Sequence, residues 1–187
     1  IAVLIPSLDP DDALVTLVGQ LQQAGVEQIV VIDDGSTEQA LFDRCAAMGC
    51  VVVHHAVNRG KGEALRTGLR AAQAAFPGLS GVVTADGDGQ HAVRDILRVM
   101  QEVTRHSDCI VLGTRDFSTG NVPARSRFGN WFSSLFFRLS AGISCPDTQT
   151  GLRGIPATLF EFALSVPGSR YEYEMNVQFT AAREGIQ

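Results

Sequence analysis

The sequence predicts an α/β fold in which a mostly parallel central sheet is flanked by helices. Three observations predict it. Short apolar runs alternate with amphipathic stretches from Ala2 to Gly113. The runs are almost continuously apolar, as expected for strands covered on both faces rather than on one. Polar clusters fall directly after them, at the carboxyl edge where open α/β sheets bind ligands.

Each element has its own signal. Ala2 to Ile5 is an apolar run that stops at Pro6, and reads as a buried strand. Asp9-Pro10-Asp11-Asp12 predicts a helix start: a capping Asp, Pro in the first turn and acids near the positive end of the dipole. Leu14, Leu17, Val18 and Leu21 follow at helical spacing, with Gly25 as the stop. Gln28 to Ile32 is a second strand, Glu38 to Met48 a helix closed by Gly49, and Cys50 to His54 a third strand. Lys61 to Phe76 is a helix with Leu65, Leu69, Ala72 and Phe76 on one face. Gly81 to Ala85 is a fourth strand. Val93 to Arg105 is a helix with Ile96, Val99, Met100 and Val103 inward, and Cys109 to Gly113 a fifth strand. The alternation then stops. Arg125 to Ala141 reads as an aromatic-rich helix, Leu152 to Ile155 as a short strand and Glu174 to Glu184 as a final helix.

The chain has 187 residues, 45% hydrophobic and 19% charged, which is an ordinary globular composition. With no repeats and no linker, one domain over residues 1–187 is expected. The chain opens on Ile1 inside a strand-like run and ends at Gln187 in a helix-like one, so trimming at both ends is expected. The net charge of −5 argues against a general nucleic-acid binder. No run reaches the ~18 apolar residues of a membrane span. The four cysteines (Cys45, Cys50, Cys109 and Cys145) form no zinc-ligand pattern, and are expected to be reduced thiols of a cytoplasmic protein.

Chemistry concentrates at the strand ends. Asp86-Gly87-Asp88 sets two carboxylates two residues apart after a strand, where they can converge on a hard divalent cation such as Mg²⁺ or Mn²⁺. Gln90 extends the pattern as a third oxygen donor. A calcium loop fails, because His91 and Leu97 stand where Gly and Glu are needed. Asp33-Asp34-Gly35-Ser36 reads equally as turn chemistry and as a contact to a nucleotide's base or ribose. Asn58-Arg59-Gly60-Lys61-Gly62 opens a helix and suits an anion, with a solvated Lys61 as the other reading; it is neither a Walker loop nor a Rossmann fingerprint. From Arg115 to Arg138 the chain is locally basic, and Arg127, Trp131, Ser134 and Arg138 share one helical face beside an apolar one. That pattern fits a membrane interface or a core helix with paired arginines. His54 and His55 close a strand. His91 falls near the acidic pair.

Taken together, these pieces resemble family 2 glycosyltransferases, within the dolichyl-phosphate mannose synthase and GtrB-like polyprenyl-phosphate branch. The matching pieces are Leu4-Ile5-Pro6, Val31 to Ser36, Gly60-Lys61-Gly62, Ala85 to His91, Leu112 to Arg115, Arg125-Ser126-Arg127 and Asp147 to Arg153, in the family's order. Arg170 to Met175 resembles a bacterial subgroup often fused to a GtrA-like membrane domain. The resemblance implies a GT-A fold and a nucleotide-sugar donor. It casts Pro6, Asp33, Asp34, Gly60 and Lys61 as donor contacts, and Asp86, Asp88 and Gln90 as the site of a Mg²⁺ or Mn²⁺ ion and the diphosphate. It casts Arg115 and Arg127 as contacts to an acceptor phosphate, with Asp147 in the loop beside sugar and acceptor. Leu8 stands where many relatives carry an aromatic residue, so the base contact is expected to differ.

The expected activity is metal-dependent, inverting transfer of a sugar from a nucleoside diphosphate to a polyprenyl phosphate, at the inner face of the cell membrane. The expected partners are the membrane surface or a membrane-embedded domain, and not nucleic acid. A saccharide-hydroxyl acceptor is the alternative; it requires a base, for which Asp147, Glu172 and Glu174 are the carboxylates at hand. A non-catalytic nucleotide-sugar-binding module is a further reading, opposed by the intact Asp86 and Asp88.

Overall fold

The structure is a computed structural model and describes residues 1–114 and 150–186. Its centre is a six-stranded sheet formed by β1 (Ala2–Ser7), β2 (Ile29–Asp33), β3 (Val51–His54), β4 (Gly81–Thr84), β5 (Val111–Leu112) and β6 (Arg153–Pro156), in the order β3-β2-β1-β4-β6-β5. The pairs β1·β2, β2·β3 and β1·β4 are parallel; β6 runs antiparallel between β4 and β5. The helices are α1 (Ala13–Gln23), α2 (Ala40–Ala47), α3 (Lys61–Ala75), α4 (Val93–Arg105), α5 (Phe160–Ser165) and α6 (Glu172–Glu184), with a 3-10 turn over Ala157–Leu159.

Alternation along β1 divides the core into two layers, because successive side chains leave opposite faces of a strand. Val3 and Ile5 pack with Leu14, Leu17, Leu21, Ile96 and Val99 on the face covered by α1 and α4. Ala2 and Leu4 pack with Leu65, Leu69, Phe160, Tyr173 and Val177 on the face covered by α3, α5 and α6. The inward positions read from helical spacing are buried at Leu14, Leu17, Val18 and Leu21 in α1 and at Ile96, Val99 and Val103 in α4, while Met100 is half-buried against the same cluster.

Pro6 lies inside a central strand, where a missing N–H usually costs a ladder hydrogen bond. The register explains how it is tolerated. β1 pairs with β4 only from Ala2 to Leu4, whereas its pairing with β2 continues to Ser7↔Asp33. Leu4 O accepts from Ala85 N, so residues 4 and 6 both point their backbone polar groups toward β4. At Pro6 that neighbour has already turned away. β1 and β4 part where proline cannot hold them together, and the gap between their carboxyl ends is the mouth of a cleft.

Several boundaries differ from the sequence expectation. α1 starts at Ala13, not at an Asp9 cap. Asp9 adopts a positive φ of 44°, and its Oδ1 accepts from Thr37 N and Thr37 Oγ1, both at 3.0 Å. A tertiary link between the loops after β1 and β2 thus displaces the local capping reading. β5 is shorter than Cys109 to Gly113, and α6 begins two residues before Glu174. Cys45 and Cys50 are buried free thiols, Cys109 is a half-buried one, and Cys145 lies outside the described residues. The basic stretch from Arg115 to Arg138 also lies outside them. No helix among the described residues is long and apolar enough to cross a membrane.

The two layers meet tightest where α3 crosses β1. A Cβ on Gly68 would stand 2.1 Å from Leu4 Cδ1, and Leu4 is fully buried. Gly68→Ala is expected to lower unfolding free energy by about 1–3 kcal/mol, because Leu4 must leave its rotamer in a filled core. Urea denaturation measures this, and an unchanged midpoint contradicts the close approach.

Candidate functional site

A cleft of about 690 Å³ opens at the carboxyl ends of β1, β2 and β4. It is lined by Pro6, Ser7, Leu8, Asp9, Asp34, Gly60, Lys61, Asp86, Asp88, Arg170 and Tyr171, among others. Six sequence-predicted residues (Pro6, Asp34, Gly60, Lys61, Asp86 and Asp88) thus meet in one cavity from four separate parts of the chain. Asp33 and Gln90 do not line it. Arg115, Arg127 and Asp147 lie outside the described residues.

The loop after β2 uses its two carboxylates for construction. Asp33 is buried and accepts from Ser36 N at 2.7 Å and Gln39 Nε2 at 2.9 Å, with His54 Nδ1 at 2.9 Å. Burial raises its pKa, but these hydrogen bonds, His54 foremost, outweigh burial and lower it overall. Asp33 thus organises the turn after β2, and it does not line the cleft where a donor contact is expected. Asp34 does face the cleft, and its carboxylate accepts from Arg59 N at 2.9 Å and Gly60 N at 2.8 Å, with His55 Nδ1 at 2.7 Å. His55 Nε2 is held by Thr67 Oγ1 at 2.9 Å.

The start of α3 is consequently not an open anion cradle. Asp34 already takes two amides there, and Glu63 N donates to Ser169 O at 3.0 Å. The anion that favours a helix N-terminus is supplied by the protein itself. The glycines serve contact instead. A Cβ on Gly62 would stand 2.5 Å from Tyr173 Cβ, and one on Gly60, at φ 95°, 2.5 Å from Ser169 O. They let the segment before α6 press against α3, which carries Arg170 and Tyr171 to the cleft wall. Glu172 fixes that segment, its Oε1 accepting from Ser169 N and Arg170 N.

Charges converge on Asp86. Its Oδ1 is 2.8 Å from Lys61 Nζ, and its Oδ2 is 3.4 Å from His91 Nε2. Lys61 Nζ is also 3.0 Å from Glu174 Oε2, and Glu174 Oε1 is 3.6 Å from Arg153 Nε. Lys61 is therefore a half-buried bridge between two carboxylates, not a solvated side chain. Burial opposes ionisation of Asp86, but the His91 hydrogen bond and the Lys61 charge hold its carboxyl well below the usual range. Burial likewise opposes the charge on Lys61, and Glu174 and Asp86 together raise its pKa overall. Arg153 is steered by Thr150 O at 2.8 Å and by Glu174 O. Gly151 packs on Asp86, since a Cβ there would stand 2.3 Å from Oδ2. Asp88 is exposed, and Gln90 contributes its N–H to Asp88 Oδ1 at 3.0 Å.

Sequence reading missed two parts of this arrangement. Glu174 entered only as a possible base, and nothing along the chain signals that it shares a lysine with Asp86, 88 residues earlier by numbering (174 − 86). Arg170 and Tyr171 entered as a motif without a place. Their exposure on the cleft wall follows from how α3 and α6 pack.

A divalent ion fits the donor set under one condition. Among the described residues, no group of three or more His, Cys, Asp or Glu converges to hold a metal by protein ligands alone. Mg²⁺ and Mn²⁺ chemistry asks less, using one or two carboxylates and completing the shell with water and substrate phosphates. Exposed Asp88 and Asp86 would supply that pair, with the Lys61 ammonium against one Asp86 oxygen.

These pairings make stability pH-dependent. Asp33 and Asp86 have folded pKa values depressed below 3.8. Their stabilisation is complete above that value and is lost as pH falls toward the folded ones. Lys61 is raised above 10.5, so its contribution is complete below that value and is lost at higher pH. Urea midpoints measured from pH 2.5 to 7 are expected to fall on the acid side, and less steeply in Asp33→Asn. Equal acid slopes in the two proteins contradict the Asp33 assignment.

Comparison with known proteins agrees with the architecture. The glycosyl transferase family 2 profile matches residues 5–161. The UDP-N-acetylglucosamine–dolichyl-phosphate N-acetylglucosaminyltransferase of Methanococcus voltae is 28% identical, over 92% of this chain and 76% of its own length. The polyprenol monophosphomannose synthase of Mycolicibacterium smegmatis is 27% identical, over 98% of this chain and 72% of its own. Among solved structures, the glucosyl-3-phosphoglycerate synthase of Mycobacterium tuberculosis in complex with Mn²⁺, UDP and phosphoglyceric acid superposes with a TM-score of 0.67 at 21% identity. That match covers 98% of this chain and 64% of the synthase, so the chain spans just under two thirds of that protein. The fold is the GT-A fold expected from the motifs, and with most of its length matched by the profile, the chain belongs to glycosyl transferase family 2.

Proposed function

We propose that this chain is the catalytic domain of an enzyme that moves a sugar, with inversion, from a nucleoside diphosphate to a polyprenyl phosphate at a membrane surface. The observation that carries the reading is the meeting of Asp34, Lys61, Asp86 and Asp88 in one cleft at the sheet's carboxyl edge. The two lipid-phosphate transferases among the relatives support the acceptor class.

The proposed residue roles follow from charge and position. The nucleoside lies toward Pro6, Leu8 and Asp34, with the diphosphate near Lys61, Asp86 and Asp88. Asp86 and Asp88 would hold Mg²⁺ or Mn²⁺, which when bound offsets negative charge on the departing diphosphate. Lys61 adds a fixed positive charge at the same edge, where a low dielectric strengthens it. From the family resemblance alone, Arg115 and Arg127 would bind and orient the acceptor phosphate, and Asp147 would stand beside sugar and acceptor. An acceptor phosphate oxygen forms the new bond to the anomeric carbon as its bond to the diphosphate breaks. The nucleoside diphosphate leaves from the opposite face.

An ionised phosphate has no proton to lose, so this acceptor needs positioning rather than a general base. The state of the described carboxylates favours that reading over a sugar hydroxyl. Glu174 is buried and paired with Lys61, and Glu172 is engaged with the backbone of Ser169 and Arg170.

Two measurements test the assignment. Asp88 is exposed, so Asp88→Ala is expected to keep its melting temperature. It is also expected to lose metal-dependent transfer from a labelled nucleotide sugar to polyprenyl phosphate by about two orders of magnitude or more; full turnover contradicts the metal assignment. Arg127→Ala is expected to raise the apparent KM for the lipid phosphate about tenfold or more, with donor KM little changed. Equal acceptor KM values would remove Arg127 from the acceptor site.

A further inference from the structure

Lys61 presents a difficulty for any cation at Asp86. Its ammonium sits 2.8 Å from Asp86 Oδ1, the position an incoming ion must share or take. A half-buried ammonium that loses its only carboxylate is left partly desolvated and unpaired, which would set ion and lysine against each other. The structure provides a second carboxylate. Glu174 Oε2 lies 3.0 Å from the same Nζ, on a helix that has no part in the Asp86 turn.

We propose that Glu174 is a positioning residue: it receives Lys61 when a divalent cation occupies Asp86, so that ion and lysine occupy neighbouring places rather than one. The inference rests on the cation reading of Asp86 and Asp88 given above. Three features support it. Glu174 has unused capacity, since its Oε1 is buried and makes no hydrogen bond, with Arg153 Nε standing off at 3.6 Å. Asp86 is the more engaged carboxylate, with Lys61 at 2.8 Å from Oδ1 and His91 at 3.4 Å from Oδ2, and the cation would add to that load. The base of the Lys61 side chain is also fixed. Gly60 and Gly62 lock the first turn of α3 against Ser169, Arg170 and Tyr173, so Nζ pivots about a stationary stem between acceptors it already touches. The glycines flanking Lys61 thereby acquire a function that a phosphate cradle does not explain. Arg153 keeps Glu174 from accumulating uncompensated charge while Lys61 is shared.

A double-mutant cycle read by Mn²⁺ binding alone tests the proposal, with free Mn²⁺ followed by electron paramagnetic resonance. Lys61→Met removes the competitor and is expected to tighten Mn²⁺ binding on the order of three- to tenfold. Glu174→Gln leaves Lys61 only Asp86 to pair with, and is expected to weaken Mn²⁺ binding by a similar factor of about three to ten. In the double variant Glu174→Gln is expected to change Mn²⁺ affinity by less than about twofold relative to Lys61→Met, because it acts only through the lysine. A merely structural role would weaken binding in both single variants. A long-range field from Glu174 would weaken it equally in both backgrounds. Either result overturns the proposal. Where Lys61→Met does not melt cooperatively, the double variant, which leaves neither charge unpaired, is compared with Glu174→Gln and is expected to bind more tightly. If the unaltered chain binds no Mn²⁺, alone or with UDP, GDP, CDP or ADP, the cation reading of Asp86 and Asp88 fails first and this inference with it. If it binds Mn²⁺ and the variants do not differ, this inference alone fails.

Discussion

One ammonium group ties the carboxyl edge of the sheet to the second half of this protein. Lys61 is shared by Asp86, at the end of the first run of parallel strands, and by Glu174, on the last described helix. Buried charges are tolerated when paired, and costly when a partner is missing. The bridge therefore fixes the placement of three elements at once: the loop after β4, the first turn of α3 and the start of α6. Arg153, on the antiparallel strand inserted beside β4, closes the same network from below. The cleft and the core beneath it are parts of one electrostatic construction.

The cleft exists because a sheet is split. β1 and β2 stay paired to Ser7 and Asp33, while β1 and β4 separate after Leu4. Pro6 marks the separation, since it has no N–H to offer toward β4. Loops from both sides of the gap then hold each other in register. Asp9 reaches across to Thr37, and its own N–H donates to Ser36 Oγ. The cleft carries the carboxylates of Asp34, Asp86 and Asp88 and the ammonium of Lys61, which suits a ligand that carries several charges.

The relatives that share most of this chain's length differ from it at more than two thirds of aligned positions. Within this chain, short polar clusters follow the apolar strands in a definite order. Physical reasons for that order can be read here. The carboxylate after β2 anchors the start of α3, the glycines of α3 admit the segment before α6, and the carboxylates after β4 face the space these contacts leave. Each cluster is weakly informative alone, and its meaning comes from the others.

The sequence by itself determined the layer order, the inward faces of α1, α3 and α4, and the edge of the sheet at which polar residues gather. These depend on periodicity and on short-range turn chemistry, which are local properties. It also singled out Asp34, Lys61, Asp86 and Asp88. Tertiary structure decided where each one sits and what it pairs with. Asp33 and Asp34 are adjacent, yet only Asp34 reaches the cleft, because successive residues leaving a strand point to opposite sides. Gly60 and Gly62 read in sequence as an anion-suited helix start, but their missing side chains make room for Ser169 and Tyr173, more than a hundred residues away along the chain. Glu174 became part of the site only through the packing of α6 on the sheet. Pairings across such separations have no local signature: they follow from burial and from the requirement that every buried charge find a partner.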